Sequence, residues 1–395
     1  MTLRALVTEY ICGTDLALLS DAYRDLLIEG YSMLYFTARD LSNAGCKVSV
    51  LLHSKLKELP LPLGVEVIEI SEDYFDFLER IYKNYDYILA IAPPLELMEI
   101  CSIVGDKYMG PEPRLVELFS DKWQAIKELK ELGFSVPKTI LLKGDHVGVR
   151  PLKYPVVIKP SNGAGGTGIT MACKEEELER ALRSAKAVSS KPYVLLQELI
   201  DGIHASISII TSSDHELLLV SSNAQLIEIT KEGKFRYRGG VLPLRYYAEK
   251  AVELARRLIK AFPGLRGYFG VDVVWRGDVP YIMEINPRIT TSYLGLSRLI
   301  GSKLGLCMIG SMEYLDTTLV KHVPLSIDTT AYYITIYEKL SKPRDDEVIM
   351  LPSYTKRSIV IGTVHSMNEL LREIERLAPD LLLYVSTLAS KIFYR

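Results

Sequence analysis

The sequence predicts an α/β N-terminal domain built on a parallel sheet, followed by a larger α+β body and a small α/β appendage at the C-terminus. Residues 1 to about 110 alternate strand-like and helix-like runs, which is the pattern of βαβ units. Beyond residue 150, strand-like runs follow one another with few helices between them, as in α+β folds. With 395 residues the chain is also too long for a single core. We predict domains at 1–114, 115–320 (subdomains of about 115–190 and 191–320) and 321–395.

The N-terminal strands read LRALVT, CKVSVLL, VEVIEI and DYILAIAP, with helices predicted at 21–44 and 74–83. These strands are continuously apolar rather than alternating, which indicates a parallel sheet covered by helices on both faces. The proline-rich residues 110–113 then mark a domain boundary.

The body begins with a helix from Ser120, with Ser120 and Asp121 as N-cap candidates and Gly133 as the stop signal. Further helices are predicted within 174–186 and 246–261. Strands are predicted at YPVVIKP, GITMAC, YVLLQEL, HASISIIT and ELLLVSS, and as a pair across 270–285. In the appendage, AYYITIYE and RSIVIGTV read as strands and residues 367–377 as a helix.

Composition excludes several classes of function. The formal charge of −2 gives no broad basic surface, so nucleic acid and anionic membranes are poor candidate partners. No apolar run is long enough for a membrane span, and the five scattered cysteines form no zinc or disulfide pattern, so we expect a cytoplasmic protein. Only three glutamines and six asparagines occur, a depletion typical of proteins from hot-growing organisms.

The first candidate site is VVIKPSNGAGGTGIT, in which a strand delivers Lys159 and a glycine-rich turn follows. Glycines let backbone N–H groups crowd around an anion. The string satisfies GxGxxG, yet the β-like ITMAC follows where a dinucleotide fingerprint needs a helix, and no Lys-Ser or Lys-Thr pair marks a Walker loop. The spacing favours a glycine flap between two strands. The alternative is a plain surface hairpin.

The second candidate site is the hairpin GYFGVDVVWRGDVPYIMEINPRI. A turn near Asp278 brings Asp272 across from Glu284, and Asn286 shares a strand face with Glu284. Two carboxylates and an amide oxygen are donors that Mg²⁺ prefers. Because apolar residues flank both carboxylates, we favour this metal site over solvated surface carboxylates. Arg288 either binds an acyl-phosphate or carboxylate oxygen or forms an ordinary surface salt bridge.

The chain resembles the ATP-grasp superfamily over about residues 115–300. Five segments carry this resemblance and occur in the expected order: SDKWQAIKELKELG, VVIKPSNGAGGTG, VLLQELIDG, FGVD and YIMEINPR. The resemblance implies a two-subdomain ATP-grasp fold with Asp272, Glu284 and Asn286 as metal ligands and with Arg288 and Lys159 as catalytic groups. His204 stands where many members place an acidic residue for the ribose, which leaves ribose binding and strict ATP preference open. The implied nucleotide contacts are Lys122, Lys159, Gly163, Gly165, Gly166, Thr167, Gly168, Gln197, Glu198, Leu199, Ile200 and His204.

The resemblance further implies an enzyme that uses ATP and Mg²⁺, with Mn²⁺ as an alternative, to join a small carboxylate to an amine through an acyl phosphate. The chain is also similar in sequence to an archaeal group that includes tyramine-glutamate ligase. The similar segments are the opening TEYICGTD, the pair Glu29-Gly30 and QELIDGIHASISI. Glutamate is therefore a candidate acid. Two alternatives keep the fold, a carboxylase-like enzyme and a kinase, and a third is a non-catalytic nucleotide-binding regulator. Residues 321–395 either cover the active site or mediate homodimerisation.

Overall fold

The computed structural model describes residues 2–143, 152–163, 165–313, 321–337, 347–351 and 354–394. Within these ranges the chain forms two four-stranded sheets and one eight-stranded sheet. None of the helices in the described ranges has the length and apolarity that a membrane crossing requires. The glycine flap of the first candidate site falls within these ranges except for residue 164.

The N-terminal sheet is parallel, as the sequence predicts, with the strand order β3-β2-β1-β4. Most residues of the two central strands, β1 and β2, are buried, because helices pack on both faces of the sheet. The elements are β1 (Arg4–Glu9), α1 (Leu16–Leu19), α2 (Asp21–Asn43), β2 (Lys47–His53), β3 (Glu66–Ile70), α3 (Tyr74–Ile81), β4 (Tyr87–Ile91) and α4 (Pro94–Val104).

A second, smaller sheet is antiparallel and has the order β5-β8-β6-β7. The helix that precedes it, α6, begins where the Asp121 side chain accepts hydrogen bonds from Trp123 N and Gln124 N. This confirms the predicted cap, while Ser120 ends the preceding helix. The elements are α5 (Pro113–Ser120), α6 (Lys122–Glu131), β5 (Thr139–Lys143), β6 (Val156–Pro160), β7 (Thr170–Ala172), α7 (Glu175–Lys186) and β8 (Tyr193–Glu198).

The largest sheet has the order β13-β12-β9-β10-β11-β14-β16-β15 and is antiparallel throughout. Helix α8 packs on one face of this sheet, whereas α9 and α10 join it to α2 of the N-terminal domain. The elements are β9 (Ile203–Thr211), β10 (Leu217–Ile229), β11 (Phe235–Leu242), α8 (Ala248–Ala261), β12 (Gly267–Arg276), β13 (Val279–Asn286), α9 (Tyr293–Ile300) and α10 (Ser302–Gly310).

The C-terminal segment does not form a sheet of its own. It contains β14 (Thr330–Ile336), β15 (Glu347–Met350), β16 (Ser358–Val364), α11 (Met367–Leu377) and α12 (Leu382–Ile392). Strand β14 pairs with β11, so these strands continue the large sheet, which differs from the expectation of a separate appendage. The physical reason is that β14 would otherwise be an unpaired, apolar edge.

The N-terminal domain is tied to the body through a polar contact between α2 and α9. Arg39 Nη2 donates to Ser297 Oγ over 2.8 Å, and Ser297 Oγ donates to the buried carboxylate of Asp40. Gly305 of α10 lies so close to Asp40 that a Cβ there would meet the Asp40 carbonyl oxygen at 2.2 Å. This packing holds one face of α2 against the body and leaves another face toward the cavity described next.

Candidate active site

One cavity opens between the three sheets and gathers most of the predicted site residues. The end of β1 and one face of α2 form one wall, the small sheet with its glycine turn forms a second, and β9–β13 form the floor. The predicted residues in its lining are Lys122, Lys159, Gly163, Gly165, Gly166, Thr167, Glu198, Leu199, Ile200, His204, Asp272, Glu284, Asn286 and Arg288.

Lys122 reaches the cavity from the first turn of α6. Its backbone N–H donates to Ser161 O over 3.0 Å, which fixes the start of the helix against the glycine turn. Its ammonium group forms an ion pair with the Glu284 carboxylate and lies 3.5 Å from Gly163 O. Only 5% of the side chain is exposed, so this charge faces the cavity and not bulk solvent.

Lys159 enters from the small sheet, on β6, and is 8% exposed. Burial lowers its pKa to about 8; the charge of Glu284 opposes this shift and the charge of Lys122 adds to it. Two lysines thus converge on one region of the cavity, where they repel each other in the absence of an anion. An arrangement of this kind favours a ligand with several negative charges.

The glycine turn lies over the cavity. Four of its glycines have positive φ angles, from +64° to +124°, which residues with a side chain rarely adopt. They are Gly163, Gly165, Gly166 and Gly168. A Cβ on Gly165 would meet Leu26 of α2 at 2.9 Å, so the turn closes against the N-terminal domain. Gly168 is not part of the lining, because it faces Val188 behind the turn.

The end of β8 and the two residues after it contribute Glu198, Leu199 and Ile200 to the cavity. Glu198 is bonded to the strand beside it: its backbone N–H donates to Lys138 O over 3.0 Å, and its Oε1 accepts from Lys138 N over 2.8 Å. These two bonds hold the end of β8 against the residue that precedes β5.

Gln197 is not brought into the cavity, in contrast to the expectation that it contacts nucleotide. Neighbouring residues of a strand point to opposite faces, so Gln197 and Glu198 cannot both face the same space. Gln197 is fully buried and its Nε2 donates to Thr139 Oγ1 over 3.0 Å. Its Oε1 has no hydrogen-bond partner among the described residues.

His204 lines the cavity from β9, opposite Val274 of β12. Burial lowers the pKa of its imidazole, and the positive charge of Lys159 lowers it further, while Asp201 acts in the opposite direction. The ring is consequently neutral at pH 7. A neutral imidazole can exchange hydrogen bonds with hydroxyl groups, although it lacks the charge of the acidic residue expected at this position.

The two carboxylates of the hairpin lie across from each other as the sequence predicts, with Asp272 paired to Glu284 between β12 and β13. Asp272 Oδ1 accepts from Gln225 Nε2 over 2.9 Å, and Oδ2 accepts from Asn286 Nδ2 over 3.1 Å. Burial, followed by the charge of Glu284, raises the Asp272 pKa to about 6. The pair therefore carries negative charge that a cation would relieve.

The donor set at this pair fits a divalent metal ion. Asn286 uses its amide NH₂ on Asp272, so its carbonyl oxygen is left for a ligand. Two carboxylates and a carbonyl are hard oxygen donors, and a Mg²⁺ site of this kind completes its coordination with water and phosphate. In the described part of the chain, no group of three or more His, Cys, Asp or Glu side chains could hold a metal ion. A metal ion here would therefore take its further oxygen atoms from the Asn286 amide, water or a bound phosphate.

Arg288 lies just beyond the hairpin and lines the cavity. One guanidinium nitrogen, Nη1, donates to Ile289 O over 2.8 Å, which orients the group. Among the described residues Arg288 forms no salt bridge. Its charge acts on Glu9 and Glu29 of the N-terminal wall, and a guanidinium lining a cavity suits a carboxylate or phosphate oxygen.

Several lining residues were not predicted as site residues. Gln225 of β10 donates a hydrogen bond to Asp272. The hydroxyl of Tyr237 on β11 accepts from Thr291 Oγ1 over 3.1 Å and shares a 2.6 Å hydrogen bond with the hydroxyl of Tyr333. Glu9 and Glu29 line the N-terminal wall. The run SSNAQ within apolar β10 is a signal that could have found Gln225, because polar residues inside a buried strand need partners.

Comparison with known proteins agrees with this geometry. A family model described as ATP-grasp domain matches residues 119–292. Tyramine–L-glutamate ligase from Methanocaldococcus fervens is 30% identical over 59% of this chain and 70% of that protein. The enzyme of the same name from Methanocaldococcus jannaschii is also 30% identical, and the chain spans 59% of its length.

The fold extends the likeness beyond the matched domain. The crystal structure of L-amino acid ligase from Bacillus licheniformis superposes with a TM-score of 0.68, covering 96% of this chain and 98% of that one at 16% identity. At this identity the likeness concerns the fold alone. Taken with the matched domain and the 30% identical ligases, it supports a plain conclusion: the chain belongs to the ATP-grasp family of ATP-dependent ligases.

Proposed function

We propose that the chain is an ATP-dependent carboxylate–amine ligase, which makes an amide through an acyl phosphate and releases ADP and phosphate. The observation that carries this proposal is the convergence of Lys122 and Lys159 with Asp272 and Glu284 in one cavity. Two cations beside two carboxylates fit a polyphosphate bound together with a divalent metal ion.

The nucleotide lies along the small sheet in this proposal. Lys122 and Lys159 contact the phosphates, and the glycine turn covers them with backbone N–H groups. The backbone at Leu199 and Ile200 borders the adenine, and His204 takes the ribose hydroxyls through neutral hydrogen bonds. Because neutral hydrogen bonds discriminate less than a carboxylate does, we expect looser selection at the ribose.

Asp272, Glu284 and Asn286 would hold Mg²⁺, with Mn²⁺ as the alternative. A metal ion there supplies positive charge against the phosphates and weakens their repulsion of an incoming carboxylate. The protein's own contribution is positional. Gln225 and Asn286 fix the Asp272 carboxylate, and the ion pair with Lys122 fixes Glu284.

The chemistry proceeds in two displacements. A carboxylate oxygen of the acid attacks the γ-phosphorus, the bond to the β-phosphate oxygen breaks, and ADP departs. The amine nitrogen then attacks the acyl carbon and the carbon–oxygen bond to phosphate breaks. Lys159 neutralises charge on the transferred phosphoryl group, and Arg288 stabilises the oxyanion of the second step. Neither step needs an enzyme nucleophile.

The substrates we propose are a small acid, with glutamate as the first candidate, and an amine. Support comes from the names of the two 30% identical relatives, which are tyramine–L-glutamate ligases. We propose an archaeal source because of the similarity to these ligases, and a hot-growing one because glutamine and asparagine are scarce. We propose domain boundaries near residues 114 and 320, with the segment after residue 320 extending the large sheet. We place the reaction in the cytoplasm, since all five cysteines are free.

The experiment is a matrix of acids and amines, including glutamate and tyramine, incubated with Mg-ATP. ADP and phosphate release are measured, and products are identified by mass spectrometry. The proposal expects release that requires both an acid and an amine, together with a product of condensed mass. Release with bicarbonate alone would indicate a carboxylase, and a phosphorylated single substrate would indicate a kinase. ATP binding with no release across the matrix would favour a regulator.

A further inference from the structure

The N-terminal wall of the cavity carries two carboxylates that the reaction above does not use. This wall consists of Glu9 at the end of β1 and of Leu26, Glu29, Gly30 and Met33 on α2. The four α2 positions follow the spacing that places residues on one helix face. The wall lies opposite the glycine turn, since Gly165 contacts Leu26. It therefore borders the space in which the acyl phosphate would form.

Glu9 is a buried carboxylate without a counter-charge. It is 3% exposed, and its Oε2 accepts from Cys12 N over 2.8 Å. No lysine, arginine or histidine of the described ranges forms a salt bridge with it. Burial raises its pKa to about 7, while hydrogen bonds from Cys12 and Ile11 and the charge of Arg288 oppose this shift. A carboxylate held in this state gains most from a cationic ligand.

The absence of a side chain at Gly30 leaves space for the carboxyl group of Glu9. It lies inside the long helix α2, where glycine is less favourable than alanine. A Cβ at this position would meet the Glu9 carboxyl at 2.6 Å for Cδ and 2.7 Å for Oε1. The helix therefore tolerates an unfavourable residue where the Glu9 carboxyl approaches its axis.

Glu29 is the second carboxylate of the wall. It is mostly buried, and neither a hydrogen bond nor a salt bridge to it occurs within the described residues. Burial raises its pKa to about 7, while the charges of Arg357 and Arg288 act to lower it and that of Asp25 to raise it. Arg357 itself pairs with Asp25, Nη2 to Oδ2 at 2.7 Å, so it does not satisfy Glu29.

The charges of the cavity restrict what can bind beside this wall. Its described cationic side chains are Lys122, Lys159 and Arg288. If Lys122 and Lys159 bind the phosphates of the nucleotide, Arg288 is the remaining described cation of the lining that can bind the acid or acyl phosphate. An acceptor that carried its own carboxylate would then face two glutamates without a second cation, and such like-charge contacts disfavour binding.

From this arrangement we infer that the N-terminal wall is the acceptor subsite, where Glu9 and Glu29 bind a primary amine as its ammonium ion. Leu26 and Met33 contact an apolar body that has no carboxylate next to the amine. Glu29 also accepts the proton that the ammonium must lose before attack. This inference rests on the proposed ligase activity and adds the class of amine and the residues that select it.

The proton balance is complete without a further reactant. The ammonium gives one proton to the Glu29 carboxylate, and the resulting free amine attacks the acyl carbon. As the carbon–nitrogen bond forms, the bond from carbon to the phosphate oxygen breaks, and the second nitrogen proton leaves with the departing phosphate. A carboxylate whose pKa is near the working pH is well suited to such a transfer.

The test separates the two half-reactions with hydroxylamine, which is uncharged at neutral pH and traps acyl phosphates as hydroxamates. Full-length wild type, Glu29→Gln, Glu29→Asp and the control Glu79→Gln are assayed with glutamate and Mg-ATP, using either hydroxylamine or tyramine as acceptor. Glu79 is exposed on α3 and faces away from the cavity, so its substitution leaves both reactions unchanged. Tyrosine serves as the matched acceptor that differs from tyramine by one carboxylate.

For Glu29→Gln we expect hydroxamate formation within about threefold of wild type and a tyramine KM raised at least about tenfold. Glu29→Asp should recover part of the loss, and wild type should prefer tyramine to tyrosine at least about tenfold in kcat/KM. A raised KM for glutamate in place of the amine would overturn the assignment, as would equal use of tyramine and tyrosine. Hydroxamate without any amide product from wild type would also count against it.

Failure of the proposed function gives a different result, because wild type would then form no hydroxamate from any acid of the matrix. Gly30→Ala supplies a second variant, and its melting temperature verifies that it folds. The added Cβ displaces the Glu9 carboxyl, so this variant should raise the tyramine KM. An unchanged KM in this variant would contradict the role of Glu9.

Discussion

Lys122 and Glu284 form an ion pair although 162 residues separate them in the chain. The pair links the first turn of α6 to the hairpin of β12 and β13, and Asp272 lies opposite Glu284 on the neighbouring strand. It thus brings together, before any ligand arrives, the lysine that we propose binds phosphate and the carboxylate pair that we propose binds metal.

Replacement of Lys122 by methionine should lower kcat/KM for ATP by about 100-fold, because a preorganised charge aimed at the phosphates is lost. Steady-state ADP release at varied ATP concentration measures the effect. Lys127→Met is the matched control, since this lysine lies on the same helix and is mostly exposed. Similar activity in the two variants would remove Lys122 from the nucleotide site.

Glu284→Gln should reduce metal-dependent turnover by about 100-fold while the protein stays folded, because the carboxylate pair loses one of its charges. The readout is ADP release over a range of Mg²⁺ and Mn²⁺ concentrations, with circular dichroism to verify folding. Asp278→Asn, at the exposed turn of the same hairpin, should leave turnover unchanged. Near-normal turnover of Glu284→Gln would refute the metal site.

Binding of Mg-ATP should slow amide hydrogen exchange in the glycine turn, residues 161–168, since the turn then closes over the phosphates. Exchange followed by mass spectrometry, with and without nucleotide, provides the measurement. Peptides that cover β3 in the N-terminal sheet serve as the internal reference. If the turn exchanged at the same rate in both states, it would not act as a lid.

The stability of the ligand-free protein should depend on pH through Glu9. Its pKa is about 7 in the folded state and about 4.5 when unfolded, so the folded state holds the proton more tightly. This contribution is fully present below pH 4.5 and is lost as the pH rises through 7. Glu9→Gln cannot ionise, so relative to wild type it should gain up to about 3 kcal/mol between pH 5 and pH 8.

Denaturant unfolding at the two pH values measures this difference. Glu79→Gln, which alters an exposed carboxylate, should show no comparable change. A wild-type minus Glu9→Gln difference that stayed constant between pH 5 and pH 8 would mean that Glu9 is not held in an uncompensated, buried state.

The sequence predicted the carboxylate pair because hairpin geometry is local. A turn at Asp278 sets which residues of β12 and β13 face each other, and Asp272 meets Glu284 as expected. The sequence also predicted that both Gln197 and Glu198 contact nucleotide, although strand alternation permits only one of them to face the cavity. The pairing of β5, β6 and β8 decides which one, and that pairing is not encoded within any single strand.

Strand β11 was missed for an identifiable physical reason. Its sequence FRYRGGVL mixes charged residues with two glycines, which are unfavourable inside strands. A Cβ on Gly239 would meet Tyr333 O of β14 at 1.9 Å, so the glycine is required by the close approach of the C-terminal strand. The partner that explains the glycine lies about 90 residues downstream, and local patterns cannot reveal it. Tyr237 lies on this strand and was therefore not predicted as a site residue either.

The N-terminal wall was only partly visible in the sequence. Glu9 lies at the end of the first strand, a position that is compatible both with a substrate-binding residue and with an ordinary βα turn. The relation between Glu9 and Gly30 depends on how α2 packs over β1, which the spacing of residues does not specify. Burial of a carboxylate without a counter-charge became evident only in three dimensions.

The most direct test of the account is transfer of ¹⁸O from the acid substrate. Glutamate labelled with ¹⁸O in its carboxylates, or another acid found active in the matrix, is incubated with Mg-ATP and an accepted amine, and the phosphate released is analysed by mass spectrometry. The account predicts one ¹⁸O atom per phosphate, together with ADP, because the carboxylate oxygen stays on phosphorus when the acyl phosphate breaks. Unlabelled phosphate accompanying amide formation would contradict it.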